Sequence, residues 1–286
     1  MGAPVRAQAV QALGYTNIWS GGSMLETLFS MRGKVCVVTG GSSGLGSYMA
    51  QGFLEAGAER VYITARSADK LQTKAEELSA LASGECIPIV GDLSTLEGVE
   101  ALATRLREQE RFIDVLVNNA GLGTGGPFAQ MSAHDWDRTM DINLRSPLFL
   151  TQALLDLLKS RATVDAPSSV IFISSVAASE IYAHVMAYST SKKAVEHLTP
   201  QLALAFADEH IRVNAIAPGR FYSEMTRGAW QDPEADAYKA ELQRIPANRY
   251  GDIHDIAGVA ILLCSRAGAY FTGEVLNVDG GHRLRR

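Results

Sequence analysis

The chain has 286 residues, 47% of them hydrophobic and 20% charged, with a formal net charge of -5. That length suits one large globular domain or two small ones; the acidic balance implies no nucleic-acid partner, and no apolar run reaches the ~20 residues of a membrane span. Cys36, Cys86 and Cys264 lie far apart without a CxxC spacing, and the six histidines form no HExxH-like pair, so a reduced, cytoplasmic compartment and no bound metal are expected.

Residues 1–32 carry no clear periodicity. Between Met1 and Ser30 there is one arginine and no long apolar core, which argues against a secretory signal or a transit peptide. Gly21-Gly22-Ser23 reads as a break, and the segment as an arm that packs on the body or on a neighbouring subunit. Lys34 to Thr39 is a short apolar run rich in β-branched residues, the pattern of a strand buried on both faces of a parallel sheet. Gly40-Gly-Ser-Ser-Gly44-Leu-Gly46 and an apolar-periodic segment, Tyr48 to Ala56, follow. Strand, glycine turn and helix bring backbone N–H groups and a helix N-terminus to bear on an anion, as in dinucleotide sites. The plain alternative is an ordinary strand–helix turn.

Arg60 to Thr64 reads as a second strand, ending in Ala65-Arg66-Ser67. An acid at this place would bind the ribose hydroxyls of NAD; Ala65 stands there instead, and the guanidinium of Arg66 suits the 2′-phosphate of NADP. Asp69 to Leu81 is predicted helical, Ile87 to Val90 a third strand followed by Asp92-Leu93, and Thr95 to Glu110 a helix with a solvated charged face. Asp114 to Asn118 is a fourth strand, running into Asn119-Ala-Gly121. The alternation implies βαβ units with right-handed crossovers, hence a doubly wound α/β sheet over residues 33–286. His134 to Lys159 reads as one long helical stretch holding Asn143, and Ser169 to Ser174 as a fifth strand with Ser175 at its end.

Tyr188-Ser-Thr-Ser-Lys192 places a phenol and an ammonium on one face of the next helix. A free phenol titrates near pH ~10, and a nearby cation pulls that value down. Tyr188 is therefore a candidate acid/base group. The helix runs towards Asp208 with Pro200 inside it, and a kink or break is predicted there. Arg212 to Ala217 is a sixth strand, residues 220–247 an irregular stretch, Asp252 to Ser265 a helix with Asp252 as N-cap, and Glu274 to Val278 the last strand.

Taken together, Thr39-Gly40-x-x-x-Gly44-x-Gly46, Asn118-Asn-Ala-Gly121, Ser175, Tyr188-x-x-x-Lys192, Pro218-Gly219 and Val278-Asp-Gly-Gly281 resemble, in order, the short-chain dehydrogenase/reductase family. The resemblance implies a seven-stranded parallel Rossmann-type sheet, a nicotinamide cofactor and a homotetramer or homodimer. It also implies a catalytic tetrad of Asn143, Ser175, Tyr188 and Lys192. In that set Ser175 donates to the carbonyl oxygen, Tyr188 gives the proton, Lys192 holds the ribose and depresses the phenol, and Asn143 positions a water. Ser174 is the rival for the serine role; the family's spacing selects Ser175. The implied cofactor positions are Gly40, Ser42, Ser43, Leu45, Arg66, Asp92, Leu93, Asn119, Tyr188, Lys192 and Phe221.

Ala217-Pro-Gly-Arg-Phe221, Ser223, Met225-Thr-Arg227 and Gly268-Ala-Tyr270 look like a subgroup of bacterial β-ketoacyl reductases associated with rhamnolipid precursors. Ile181, Tyr182, Met186, Phe221, Tyr222 and Met225 would give the pocket apolar walls suited to a hydrophobic ketone, or else serve as core or subunit contacts. The readings carried forward are an NADP-dependent ketoreductase for apolar ketones or β-ketoacyl substrates; a hydroxysteroid, sugar or secondary-alcohol dehydrogenase; and a non-catalytic NADP-binding module.

Overall fold

The computed structural model describes residues 23–222 and 236–284. Seven parallel strands, β1 (Val35–Thr39), β2 (Arg60–Ala65), β3 (Glu85–Val90), β4 (Val115–Asn118), β5 (Ser168–Ile173), β6 (Ile211–Pro218) and β7 (Val275–Val278), form one sheet in the order β3-β2-β1-β4-β5-β6-β7. Alternate residues of a strand point to opposite faces. Cys36 and Val38 therefore enter one core, with Met49, Phe53, Ile256 and Leu263, while Val35 and Val37 enter the other, with Leu102, Leu106, Leu150 and Val195. Both faces are covered by helices, which is why β1 is apolar at successive positions.

The chain runs outward from β1 to β2 and β3, then crosses back to place β4 on the other side of β1. The carboxyl ends of β1 and β4 thus diverge at a topological switch point, where an α/β sheet opens a crevice. Pro88 sits in β3, which pairs with β2 alone; an edge strand tolerates the missing N–H.

Three expectations change. The stretch His134 to Lys159 is not one helix but Ala133–Met140, a π turn over Asp141–Arg145, then Ser146–Ala153 and Leu155–Lys159. Pro147 lies four residues after Asn143; its ring cannot accept the carbonyl of residue 143 in an α-helical register, so the backbone widens there. The helix Met186–Ala205 runs through Pro200 without the predicted break. Val195, Thr199 and Ala203 are buried on either side of the proline and hold both halves on the body. The stretch after residue 220 contains a helix, Asp236–Gln243; Ser223, Met225, Thr226, Arg227 and Trp230 lie outside the described residues.

Ser23 closes a capping box on a short helix, Met24–Leu28, which lies against the turn Arg266–Gly268. Met31 is fully buried in the first core. Among the described residues no helix is long and apolar enough to cross a membrane.

Candidate active site

The glycine turn follows β1 at the switch point. Gly40 takes φ +67°, a left-handed conformation, and turns the chain sharply. Asn119, at the end of β4, ties the turn down: its Nδ2 donates to Thr39 O at 2.8 Å and to Gly40 O at 3.1 Å. In return Thr39 Oγ1 accepts from the N–H groups of Asn119 and Ala120 at 3.0 and 2.9 Å. A Cβ on Gly46 would stand 2.3 Å from Gly40 O, so only glycine lets the helix pack this closely on the turn. The helix Gly44–Glu55 starts with no side-chain cap from Ser43, leaving its first-turn N–H groups available to an anion.

This turn forms one wall of a cavity of about 1030 Å³. Gly40, Ser42, Ser43, Leu45, Arg66, Asp92, Leu93, Asn119, Ser175, Tyr188, Lys192 and Phe221 all line it. Asn143 is set behind the wall, 2% exposed. Sequence reasoning missed Lys70, which joins Arg66 and Ser67 on the β2 side; the residues after Asn119, the segment Val176 to Met186 and the stretch from Arg220, which the sequence points to as pocket lining, contribute Thr124, His184 and Arg220 to the wall. Lys70 had a readable signal, since it follows Arg66 by four residues. The loop after β3 is pinned by Ser146 Oγ, donating to Leu93 O at 2.6 Å. Asp92 Oδ1 accepts from Ser94 N at 3.0 Å.

The expected apolar wall is only partly present. Tyr182 and Phe221 line the cavity. Ile181 is fully exposed, Tyr222 is exposed with its hydroxyl 3.1 Å from that of Tyr238, and Met186 does not line the cavity.

At the carboxyl end of β5 the two serines separate. Ser174 also borders the cavity, but it is buried and its hydroxyl is turned to Lys192 O at 3.3 Å and Glu196 Oε1 at 3.1 Å. Ser175 faces the cavity and hydrogen-bonds Tyr188. Asn143 Oδ1 accepts from Leu122 N at 2.7 Å, while Nδ2 donates to Leu122 O at 3.0 Å and Ser191 Oγ at 2.9 Å. Its side chain therefore fixes the loop after β4 to the helix that carries Tyr188.

The electrostatics differ from the expectation. Burial pushes the Tyr188 phenol up from its ordinary value, against smaller downward pulls from the Ser175 hydrogen bond and the Arg220 charge. Lys192 does not supply the pull: its Nζ is 5.7 Å from the Tyr188 ring centroid and donates to Ile173 O at 2.7 Å. Burial lowers the Lys192 ammonium itself to about 8. A lysine that begins to lose its proton near pH 8 is a weaker influence on its neighbour than a cation fixed at every pH.

Fold and cavity together define a Rossmann-type α/β protein with a buried tyrosine beside the crevice. The family described as Enoyl-(Acyl carrier protein) reductase matches residues 40–283. A rhamnolipids biosynthesis 3-oxoacyl-[acyl-carrier-protein] reductase of Pseudomonas aeruginosa is 43% identical, over 91% of this chain and 100% of that one. A 3beta-hydroxysteroid dehydrogenase 1 of Eggerthella lenta is 36% identical over 89% of this chain and 95% of its own. Among solved structures, the Pseudomonas aeruginosa RhlG/NADP active-site complex superposes with a TM-score of 0.86 at 42% identity, covering 90% of this chain and 99% of that one. A gluconate 5-dehydrogenase from Burkholderia cenocepacia in complex with NADP and tartrate gives 0.82 at 29% identity, covering 92% and 100%. The chain belongs to the short-chain dehydrogenase/reductase family.

Proposed function

We infer that the protein is an NADP-dependent oxidoreductase that reduces an apolar ketone or β-ketoacyl substrate to the corresponding alcohol. The observation that carries this reading is the meeting of Ser175 and Tyr188 in the same cavity as the glycine turn. The residues present fit the cofactor. Gly40 and Gly46 leave a close backbone cradle, the uncapped helix start favours a pyrophosphate, and Arg66 with Lys70 suits a 2′-phosphate. Thr64 Oγ1, on the same wall, is buried without a hydrogen-bond partner. When bound, NADPH supplies the hydride.

As the substrate carbonyl carbon gains that hydride, negative charge grows on its oxygen. Ser175 Oγ donates to that oxygen and stabilises the charge. Tyr188 Oη gives it a proton, which yields the alcohol. A phenol kept protonated by burial suits this direction. Lys192 sits behind the tyrosine and returns a proton to it. Asn143, as the family resemblance implies, would position a water that links Lys192 to solvent. Leu45, Asp92, Leu93, Asn119 and Phe221 shape the nucleotide side of the cavity. Ser42 and Ser43 present hydroxyls to its phosphates.

A sugar or other secondary alcohol is the second reading, favoured by the polar stretch of wall formed by Thr124, His184 and Arg220. In both readings residues 1–32 are an arm and residues 33–286 the catalytic domain, with the buried Met31 as the anchor between them. Assembly as a homotetramer or homodimer in the cytoplasm completes the proposal; the exposed Tyr270 and Phe271 supply apolar surface for such a contact. Oxidation of NADPH, followed against a panel of β-ketoesters, steroids and sugars, tests it. Turnover with β-ketoesters is expected; NADPH left untouched by every carbonyl would revive the non-catalytic binding module.

A further inference from the structure

Arg220 has no part in the chemistry assigned above, yet it lines the reaction end of the cavity. It follows β6 by two residues, as Ser175 follows β5, and the two strands are hydrogen-bonded neighbours. Its backbone is fixed, for Gly251 N donates to Arg220 O at 2.9 Å. Its Nε lies 2.7 Å from Glu241 Oε1, but as a misaligned ion pair, since neither atom has a hydrogen-bond partner. About a third of the arginine side chain is exposed.

Glu241 sits on the helix Asp236–Gln243. That helix rests on a small cluster of its own, Tyr238 and Leu242 against Ile245 and Tyr250, separate from the two main cores. A guanidinium beside the acid group of the site is costly to desolvate, and the carboxylate offsets that cost while no other oxygen is present. The charge reaches the reacting phenol, which it pulls downward.

We propose that Arg220 is a specificity-determining residue: it leaves Glu241 to take the second carbonyl oxygen of a substrate whose acyl carbonyl lies two carbons from the reacting ketone. Guanidinium is a planar, permanently charged donor that suits such an oxygen, and a simple ketone has nothing to offer it. Glu241 competes with the substrate for the same N–H groups, so it sets the strength of the discrimination. The inference rests on the ketoreductase reading and names the substrate feature that this site selects.

The test compares a β-ketoester with the matched keto-ether in which a methylene replaces the ester carbonyl, at saturating NADPH. Arg220→Met keeps the aliphatic stem and removes the donors. The ratio of kcat/KM for ester over ether is expected to fall at least about tenfold, the factor carried by one charge-assisted hydrogen bond. Glu241→Gln weakens the competitor and is expected to raise the same ratio through a lower KM for the ester. NADPH binding, followed by its fluorescence, shows whether each variant is folded, and Glu241→Gln carries the test if Arg220→Met is not. An unchanged ratio in the folded variants overturns the inference while leaving the ketoreductase standing. Wild-type protein that turns over neither ketone contradicts the ketoreductase reading itself, and the inference with it.

Discussion

Lys192 shows how a single side chain links fold, stability and chemistry. Burial lowers its ammonium from 10.5 to about 8, so between those values the unfolded chain holds a proton that the folded chain has released. Stability rises with pH wherever the unfolded state binds more protons. The penalty is thus fully present below pH 8 and disappears as pH rises towards 10.5. The cofactor-free wild type is expected to gain stability relative to Lys192→Met across that interval; urea titrations at several pH values check it, and parallel curves would contradict it. Arg66 and Lys70 make a second residue-scale case. Arg66→Ala is expected to weaken NADPH at least about tenfold while leaving NADH nearly unchanged, since one charge-assisted contact to phosphate is lost. Equal losses in titrations with the two cofactors would remove the phosphate role.

At the scale of elements, two prolines in predicted helices act in opposite ways. Pro147 opens a π turn, because the carbonyl it displaces belongs to Asn143 and the neighbouring Leu122 loop takes hold of that residue's side chain. Pro200 leaves its helix continuous, because buried residues flank it on both sides. The sequence reading expects a break at Pro200 and one unbroken helix through Pro147, and the structure shows the reverse; packing decides which proline disrupts its helix. The glycine turn is more exacting. In Gly46→Ala the new Cβ would meet Gly40 O at 2.3 Å and Asn119 Nδ2 at 2.5 Å, and the first of these is rigid backbone. The turn must shift, with an overpacking cost of about 1–3 kcal/mol. A fall of at least about tenfold in NADPH affinity should follow, on the scale of that cost; a fluorescence titration giving the wild-type affinity would show that the cradle is looser than its geometry indicates.

The whole molecule explains why some of this could be read from the chain and some could not. β1, β4 and β5 are buried at successive positions and carry the apolar runs Val35–Val38, Val115–Val117 and Val170–Ile173, whereas β6 is equally buried but interrupted by Arg212 and Asn214. The glycine turn and the Tyr188–Lys192 pair are local in sequence, so their residue types identify them. The choice between Ser174 and Ser175 needed orientation at the end of β5, which the spacing of residues resembles but does not determine. Arg220 and Glu241 become neighbours only when a helix folds back over the end of β6. The sign of the Tyr188 shift was misjudged for the same reason: two residues on one helix face suggest attraction, whereas burial by the rest of the protein dominates. What the molecule assembles at the sheet's carboxyl edge is a buried phenol hydrogen-bonded to a serine, with a buried lysine on the same helix.

That arrangement is tested most directly by turnover of Tyr188→Phe with NADPH and a β-ketoester, measured beside NADPH binding in the same preparation. Removing one hydroxyl should lower turnover by at least about 100-fold, the usual worth of a general acid, with cofactor affinity close to that of the wild type. Turnover within a few-fold of the wild type would show that the proton reaches the substrate from another group.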